Sequence, residues 1–526
     1  MEFAHLTSHP FGDGQAPGQK PPLSLLHLPN ELVLLICEYL GEHDLYLLSL
    51  VCRRLHSSAL PICLVRCGLF KSGESPEKLE LFVNRALSPE QKRGLLRLRI
   101  SLDITSVKRI TCELDYPLSS FFVVGQNLHR LMEKLTSIEE VILEFTHTFS
   151  SLWKVAKAIE WNTWIRFLFA LLSTTASKCS MLTLRQRGFF PSFQVMLPGG
   201  SRRKTSTISR PTTIDNIVGL VVGKPSSSRS IRGDSANSPD TGNGPTRSPN
   251  AAMLNTLIIA SSTLLHPSFL PWTIETLNNS PITSLSFDSI NLISEEWSNI
   301  LPIITLPTLS VLSIDSCSIA LADLSVFLSR HPSLTTLNIG ADMVDLPLSI
   351  QPSLPNLLPH LTTLSAPQNY TVQFLKFAHA FPRLRFLTIV SHLTFSSDLT
   401  AIEQTFASIA TRQPTNIMLS LELHVHTSNW LDTDSDARLG ISGANTLAQR
   451  VTSVVIKAGW YGLEQHARDR LPSWLARFCA LETLTFVDQS QWPLDVQVKM
   501  TLIQSIGAAC PGVKTVVVND EARDVN

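Results

Sequence analysis

An excess of charge of either sign is missing from this sequence: 43 Lys and Arg balance 43 Asp and Glu. Without a basic surplus the chain lacks the surface that a phosphate backbone or an anionic bilayer attracts, so neither nucleic acid nor membrane is an expected partner. A dense cysteine framework is missing too. The nine cysteines, at 37, 52, 63, 67, 112, 179, 317, 479 and 510, are odd in number and widely scattered. This excludes a disulfide scaffold and reads as reduced thiols, with a cytoplasmic or nuclear location expected. Cys63 and Cys67 form the one close pair, with no second pair or histidine pair at zinc-site spacing, so no structural metal is expected. No uncharged apolar run approaches the roughly 18 residues of a spanning helix, and the most tempting stretch, Trp164 to Leu172, is broken by Arg166. Met1-Glu2-Phe3 opens without a basic patch ahead of an apolar core, so no secretion signal is expected.

Catalytic motifs are absent as well. Gly219 to Gly223 followed by Lys224-Pro225 has three residues between its glycines where a phosphate-binding loop needs four, and a proline where that loop needs Ser or Thr. Gly440-Ile441-Ser442-Gly443 lacks glycines two residues either side of the serine, as a nucleophile elbow requires. The remaining carboxylates show no paired spacing for acid-base work. No enzyme activity and no cofactor are therefore expected of this chain.

What is present is apolar surface in quantity. The chain has 526 residues, of which 44% are hydrophobic and 16% charged, enough for a large core. Residues 1–22 carry Gly12, Gly14, Pro17, Gly18, Pro21 and Pro22 and read as a flexible tail. From Leu25 to Pro61 two or three short helices are expected. Pro29 stands at a helix entrance, Leu32, Ile36 and Leu40 share a face, and Gly41 supplies a stop. Asp44 then lies in the first turn of a second helix carrying Leu45, Leu48 and Cys52.

At Leu28-Pro29, Glu31-Leu32, Ile36, Leu40, Asp44-Leu45, Leu48 and Val51-Cys52-Arg53 this segment resembles the F-box, over about forty residues. The aromatic residue often found shortly after the exit motif is replaced by Leu55-His56-Ser57. The resemblance implies a non-catalytic subunit that binds a Skp-family adaptor and through it a cullin–RING ubiquitin ligase. Leu28, Pro29, Leu32, Ile36, Leu45, Leu48 and Val51 are the candidate adaptor contacts, and some of them must instead fill the small domain's own core. A generic helical hairpin would show the same amphipathic spacing.

Further along, apolar-x-x-apolar-x-apolar segments begin at Leu254, Ile282, Leu309, Leu334, Leu361 and Leu384, separated by 28, 27, 25, 27 and 23 residues. Looser copies begin at Met418, Val451, Leu481 and Val513, and weaker ones upstream at Leu95, Ile138 and Cys179. Helix-like stretches such as Ala320 to Ser329 and Thr371 to Ala380 fall between them, so each unit reads strand, loop, helix, turn. The region resembles a degenerate leucine-rich repeat, in which the asparagine or cysteine after the strand is mostly missing. An ordinary parallel α/β domain also alternates strands and helices.

The expected class is α/β: a small N-terminal helical F-box followed by a leucine-rich-repeat-like α/β solenoid. The expected segments are a tail at 1–22, the F-box at 24–61, a helical linker with irregular first repeats at 62–190, a flexible insertion at 191–250, and a substrate-binding region at 251–520. In the insertion, residues 201–250 hold eight basic side chains against three acidic ones. There Arg202-Arg203-Lys204-Thr205-Ser206 and the Ser238-Pro239 and Ser248-Pro249 pairs suit phosphorylation or are chance features of a linker.

Side chains between the core positions of each strand point to the open face, where an unknown protein substrate would dock. Candidate contacts are Ser286, Asp288, Ser313, Asp315, Asn338, Phe386, Glu422 and His424. Phe386 is either an exposed anchor or, with the register shifted by one, a core residue. Glu422, His424 and His426 share a strand face and read as partner contacts or solvated residues before they read as metal ligands. The function expected is the substrate-recognition subunit of a Skp–cullin–F-box ligase. The alternative is a non-catalytic repeat scaffold outside ubiquitin transfer.

Overall fold

The computed structural model describes residues 25–69, 79–84, 87–102, 104–114, 118–145, 158–186, 253–340, 357–375, 381–393, 402, 404–407, 409, 417–425, 431, 449–458, 465–488, 495–519 and 521–524. The tail at 1–22, the insertion at 191–250 with its Ser-Pro pairs, the Gly440 segment and His426 lie outside them. The chain divides into two compact units, one of residues 1–79 with 87–105, the other of 80–86 with 106–526.

The first unit is helical. A single 3-10 turn at Leu25–His27 precedes α1 (Asn30–Tyr39), α2 (Glu42–Ser49), α3 (Arg53–Arg66) and α4 (Pro89–Leu98). Its core joins Val33 and Cys37 of α1 to Leu45 of α2 and Leu55, Ala59 and Cys63 of α3. The inward stripe of α1 is thus Val33 and Cys37, one residue round from the expected Leu32–Ile36–Leu40 stripe. Leu32 to Cys37 is apolar without a break, so both stripes satisfy helical spacing and only packing chooses between them. Gly41 is not a left-handed stop: α1 ends at an extended Leu40, and Gly41, at φ −67°, opens α2.

α3 runs through Pro61 to Arg66, past the boundary expected at 61. Pro61 is exposed, so the helix forgoes one internal hydrogen bond there on its wet side. In the stretch that lacks the family's aromatic, His56 is buried instead. Its Nδ1 donates to the Ser49 carbonyl at 2.8 Å and its Nε2 accepts from the Leu102 amide at 2.9 Å, fixing the end of α2 to the chain after α4. Leu95 lies in α4, which starts with a reciprocal cap between Ser88 and Gln91, so it does not begin a repeat strand.

The second unit is a mixed α/β body built on one sheet. Its strands are β1 (Glu80–Val83), β2 (Ser106–Leu114), β3 (Ser137–Phe145), β4 (Cys179–Gln186), β5 (Thr256–Ala260), β6 (Ser284–Asp288), β7 (Val311–Asp315), β8 (Thr336–Ile339), β9 (Thr363–Pro367), β10 (Phe386–Leu393), β11 (Met418–Val425), β12 (Val451–Ala458), β13 (Thr483–Asp488), β14 (Thr515–Val518) and β15 (Glu521–Asp524). They neighbour one another in chain order, each of β1 to β13 parallel to the next and β15 antiparallel to β14. Between them run α5 (Leu118–Lys134), α6 (Ala158–Lys178), α7 (Leu270–Asn279), α8 (Ser294–Ile300), α9 (Leu321–Ser329), α10 (Gln368–Leu375), α11 (Gln465–Leu475) and α12 (Val496–Ala509).

Strand alternation gives the sheet one dry face. Leu182, Leu257, Leu285, Leu312, Leu337, Leu364, Leu387 and Leu419 stand in register across β4 to β11, all at most 1% exposed. A second buried row holds Leu184, Ile259, Phe287, Ile314 and Ile339, and α8 covers it by setting Trp297 edge-on against Phe287, ring centres 5.1 Å apart. The expected repeat starts Leu254, Ile282, Leu309, Leu334, Leu361 and Leu384 are all buried just ahead of their strands. In four of them, Leu309, Leu334, Leu361 and Leu384, the amide bonds the carbonyl three residues back, so the same turn recurs.

Met418 departs from this scheme. It pairs with Phe386 on the open face and is 49% exposed, while Leu419 and Leu421 take the core positions. From β11 onward the apolar spacing therefore starts two residues later relative to the preceding strands, a shift that leaves the faces unchanged because the side-chain period is two.

Phe386 is 45% exposed and its neighbour Leu387 is 1% exposed, which rejects the shifted register. Leu387→Ala is expected to cost roughly 2–5 kcal/mol through an internal cavity, and Phe386→Ala less than about 1 kcal/mol. Denaturant unfolding of the two variants checks this; a larger loss for Phe386→Ala would reverse the assignment.

Candidate functional site

Two arginines set the pose of α1. Arg54, at the start of α3, donates to Asn30 Oδ1 at 2.9 and 3.1 Å and to the Leu28 carbonyl. Arg66, at the end of α3, donates to the Glu38 carbonyl at 2.5 Å and to that of Leu40. Twelve residues separate the arginines and twelve separate Leu28 from Leu40, so the two helices lie parallel over about 18 Å. Arg66 also satisfies carbonyls left open at the end of α1.

With Val33 and Cys37 turned inward and Ile36 half-buried, four apolar side chains of α1 are left exposed. Leu32, Leu34, Leu35 and Tyr39 on α1, with Leu47, Leu50 and Val51 at the α2–α3 junction, are 43–85% exposed. Leu32, Leu35 and Tyr39 follow one another at three and four residues along a single stripe. The Arg54–Asn30 bonds bring the α2–α3 junction to the start of that stripe. Exposed apolar side chains gathered in this way mark an interaction surface.

Of the seven residues expected here, Pro29, Leu32 and Val51 are exposed, and Leu28, Ile36 and Leu48 are half-buried. Leu45 is a correction: it is fully buried in the helical core and offers nothing to a partner. Its three- and four-residue spacing is that of a core position as much as of an interface. Leu34, Leu35, Tyr39, Leu47 and Leu50 escaped the sequence reading. The unbroken run Leu32 to Cys37 was the available signal, because a helix apolar on every side cannot bury all of it in so small a unit.

Beneath this surface Glu42 ties α2 to α4. Its carboxylate pairs with Arg97 and with Arg93 at 3.6 Å and accepts from the Cys67 thiol at 3.5 Å. The Arg97 guanidinium stands 5.0 Å over the Tyr46 ring and also reaches Cys63 Sγ at 3.2 Å. The Cys67 hydrogen bond and Arg97 draw the Cys63 thiol down to about 7, while Cys67 is pushed up by that same contact and by burial. Among the described residues no group of three or more His, Cys, Asp or Glu is placed to hold a metal.

The open strand face is the second candidate. Ser286, Ser313 and Asn338 form one lateral row that continues through Ser365 and Thr388, and Asp288 stands beside Asp315 in another. These side chains are half-buried and small, leaving a shallow polar floor. Asp315 leans over Gly340, where an added Cβ would fall 1.7 Å from its Oδ1, so a side chain at 340 would displace the carboxylate. Phe386 and Met418 stand side by side as the apolar ledge.

Glu422 and His424 lie farther along the sheet, Glu422 five strands from Asp288 and roughly 24 Å away at the usual interstrand spacing. Glu422 accepts from His424 Nε2 at 2.8 Å and from Lys457 of β12, and the His424 ring lies 4.8 Å from that of His392. Lys457, 33 residues after His424, is its cross-strand partner and was not legible without the register. Burial raises the Glu422 carboxyl, but the bonds from His424 and Lys457 outweigh it and hold the group down to about 2. The cluster is an ion-paired part of the wall rather than a poised acid or base.

Residues 25–67 match the model of the F-box-like family. No curated protein matches the chain. No helix among the described residues is long and apolar enough to cross a membrane.

Because the folded-state pKa of Glu422 is depressed, its stabilisation is fully present above about pH 4.5 and is lost as pH falls toward 2. Glu422→Gln is expected to lower unfolding free energy by about 1–3 kcal/mol near pH 7. That deficit should shrink as pH falls from about 5 to 3 in denaturant titrations of both proteins. A deficit that grew on acidification would contradict the ion-pair assignment.

Proposed function

We propose that this chain is the substrate-recognition subunit of a Skp–cullin–F-box ubiquitin ligase. The observation that carries the reading is the stripe Leu32–Leu35–Tyr39, turned outward from a folded helical unit within the segment that matches the F-box-like model. Burying such side chains against a Skp-family adaptor removes apolar surface that the unit itself leaves wet. Through that adaptor the chain joins a cullin–RING ligase in the cytoplasm or nucleus. It contributes no bond chemistry and works by holding a target lysine near the charged ubiquitin-conjugating enzyme, which raises effective concentration.

The second unit presents the target. Its strand order, its buried leucine row, its recurring turn and the 28, 27, 25, 27 and 23 residue spacing support a leucine-rich-repeat-like solenoid. The open strand face then takes the substrate, with Ser286, Asp288, Ser313, Asp315 and Asn338 as a close-approach floor, Phe386 with Met418 as the anchor, and Glu422 with His424 at the far side.

Leu35→Asp with Tyr39→Asp is expected to weaken adaptor binding at least thirtyfold, the loss of one hot spot of about 2 kcal/mol. It should also abolish ubiquitin transfer in a ligase reconstituted with adaptor, cullin and RING subunits, with the melting temperature unchanged. Full adaptor binding by the folded double variant would refute the adaptor surface. Adaptor binding by the parent chain without ubiquitin transfer to any protein bound at its strand face would favour the scaffold alternative.

A further inference from the structure

Helices α5 and α6 of the second unit pack together and leave a recess of about 370 Å³ between them. Each helix supplies three lining residues at the same spacing. Gln126, His129 and Arg130 come from one turn of α5, and Thr163, Arg166 and Phe167 from one turn of α6. Positions three and four apart share a helix face, so both triads look into the same space. Among the described residues no carboxylate lines it. Glu133, 57% exposed, lies 3.9 Å from His129 Nε2, which also meets Thr174 Oγ1 at 2.9 Å.

Arg130 and Arg166 line the recess from opposite helices. Neither has an ion-pair or hydrogen-bond partner among the described residues. Two guanidiniums converging on one opening repel each other unless an anion lies between them. Arg109 and Arg185 of this unit are each matched to a glutamate on the adjoining strand, whereas the two arginines of the recess face each other across it without one.

The number of donors selects the anion. A carboxylate has two oxygens and one charge, which a single guanidinium fork uses up. A phosphate monoester carries nearly two charges at neutral pH and three terminal oxygens, enough for a fork from each side. The Gln126 amide and the Thr163 hydroxyl add neutral polar groups at the rim, and Phe167, 9% exposed, gives the organic part an apolar wall. The recess is several times the volume of a bare phosphate ion and falls within the usual range of small-ligand sites.

We propose that the α5–α6 recess binds a phosphate monoester, with Arg130 and Arg166 clasping the phosphoryl oxygens from opposite helices. The proposal stands independently of the ligase reading: it uses neither the outward face of α1 nor the open strand face. Its ligand is a phosphorylated side chain or a small organic phosphate, which share the chemistry that the arginines recognise.

Titration calorimetry of the full chain with phenyl phosphate tests it. Saturable binding below about 10 mM is expected, weakened roughly tenfold or more by Arg130→Gln and by Arg166→Gln, since each removes a charge-assisted fork. Arg166→Lys should recover part of the loss because it restores charge without the fork. Both arginines are exposed, so melting temperatures should not move. Phenylacetate, which presents a carboxylate on the same ring, should bind at least tenfold more weakly. A phosphoserine peptide that competes with phenyl phosphate and binds more tightly assigns the ligand to a phosphorylated chain, and the reverse order assigns it to a small molecule. No saturable binding of phenyl phosphate at about 10 mM, equal binding of phenylacetate, or affinity unmoved by both glutamine variants would overturn the proposal.

Discussion

The orientation of α1 depends on α3 holding it at both ends. Arg54 takes the start through Asn30 and the Leu28 carbonyl, and Arg66 takes the end through the carbonyls of Glu38 and Leu40. Clasped in this way the helix can offer only one stripe to the core, and Val33 with Cys37 fills that place. Leu32, Leu35 and Tyr39 must then face water. A unit of this size could have spared itself that surface by placing polar residues there, since exposed positions on a helix tolerate Lys, Glu or Gln at no cost in propensity. The retained apolar side chains make sense only when something covers them.

The sheet follows a different constraint with a similar result. Because strand side chains alternate, the leucine row from Leu182 to Leu419 fixes every neighbouring position on the opposite face. Over β6 to β9 those positions are serine, threonine, aspartate and asparagine, with Val311 and Pro367 the apolar exceptions, and the exposed bulky apolar groups Phe386 and Met418 arrive at β10 and β11. Small side chains let a partner's backbone come close, and one apolar ledge beside them supplies an anchor. The Glu422–His424–Lys457 group, tied by its own ion pairs, stiffens the wall beyond the ledge.

Much of this was legible in the sequence, and the limits were specific. The helical F-box-like segment showed in the order Leu28-Pro29, Asp44-Leu45 and Val51-Cys52-Arg53, because turn and cap chemistry acts over a few residues. The strands after Leu254 showed in their spacing, because four of the six buried starts sit at the same turn. What failed needed tertiary information. Leu45 as an adaptor contact failed because one helical spacing serves core and interface alike. The start at Met418 failed because the apolar pattern slips by two, which keeps the faces and hides the slip. Leu95 failed because its apolar neighbours belong to a capped helix. Lys457 and the Arg130–Arg166 pair each join residues more than thirty positions apart, a separation that only strand register or helix packing reveals.

The account rests on α1 presenting its outer stripe to an adaptor while its inner stripe stays packed. Residue-level covalent footprinting of the full chain, free and bound to a Skp-family adaptor, reads this directly. Loss of labelling at Leu32, Leu35, Tyr39, Leu50 and Val51 on complex formation, with Val33, Cys37 and Leu45 unlabelled in both states, is the predicted result. A complex that leaves the outer stripe as reactive as in the free chain would contradict it.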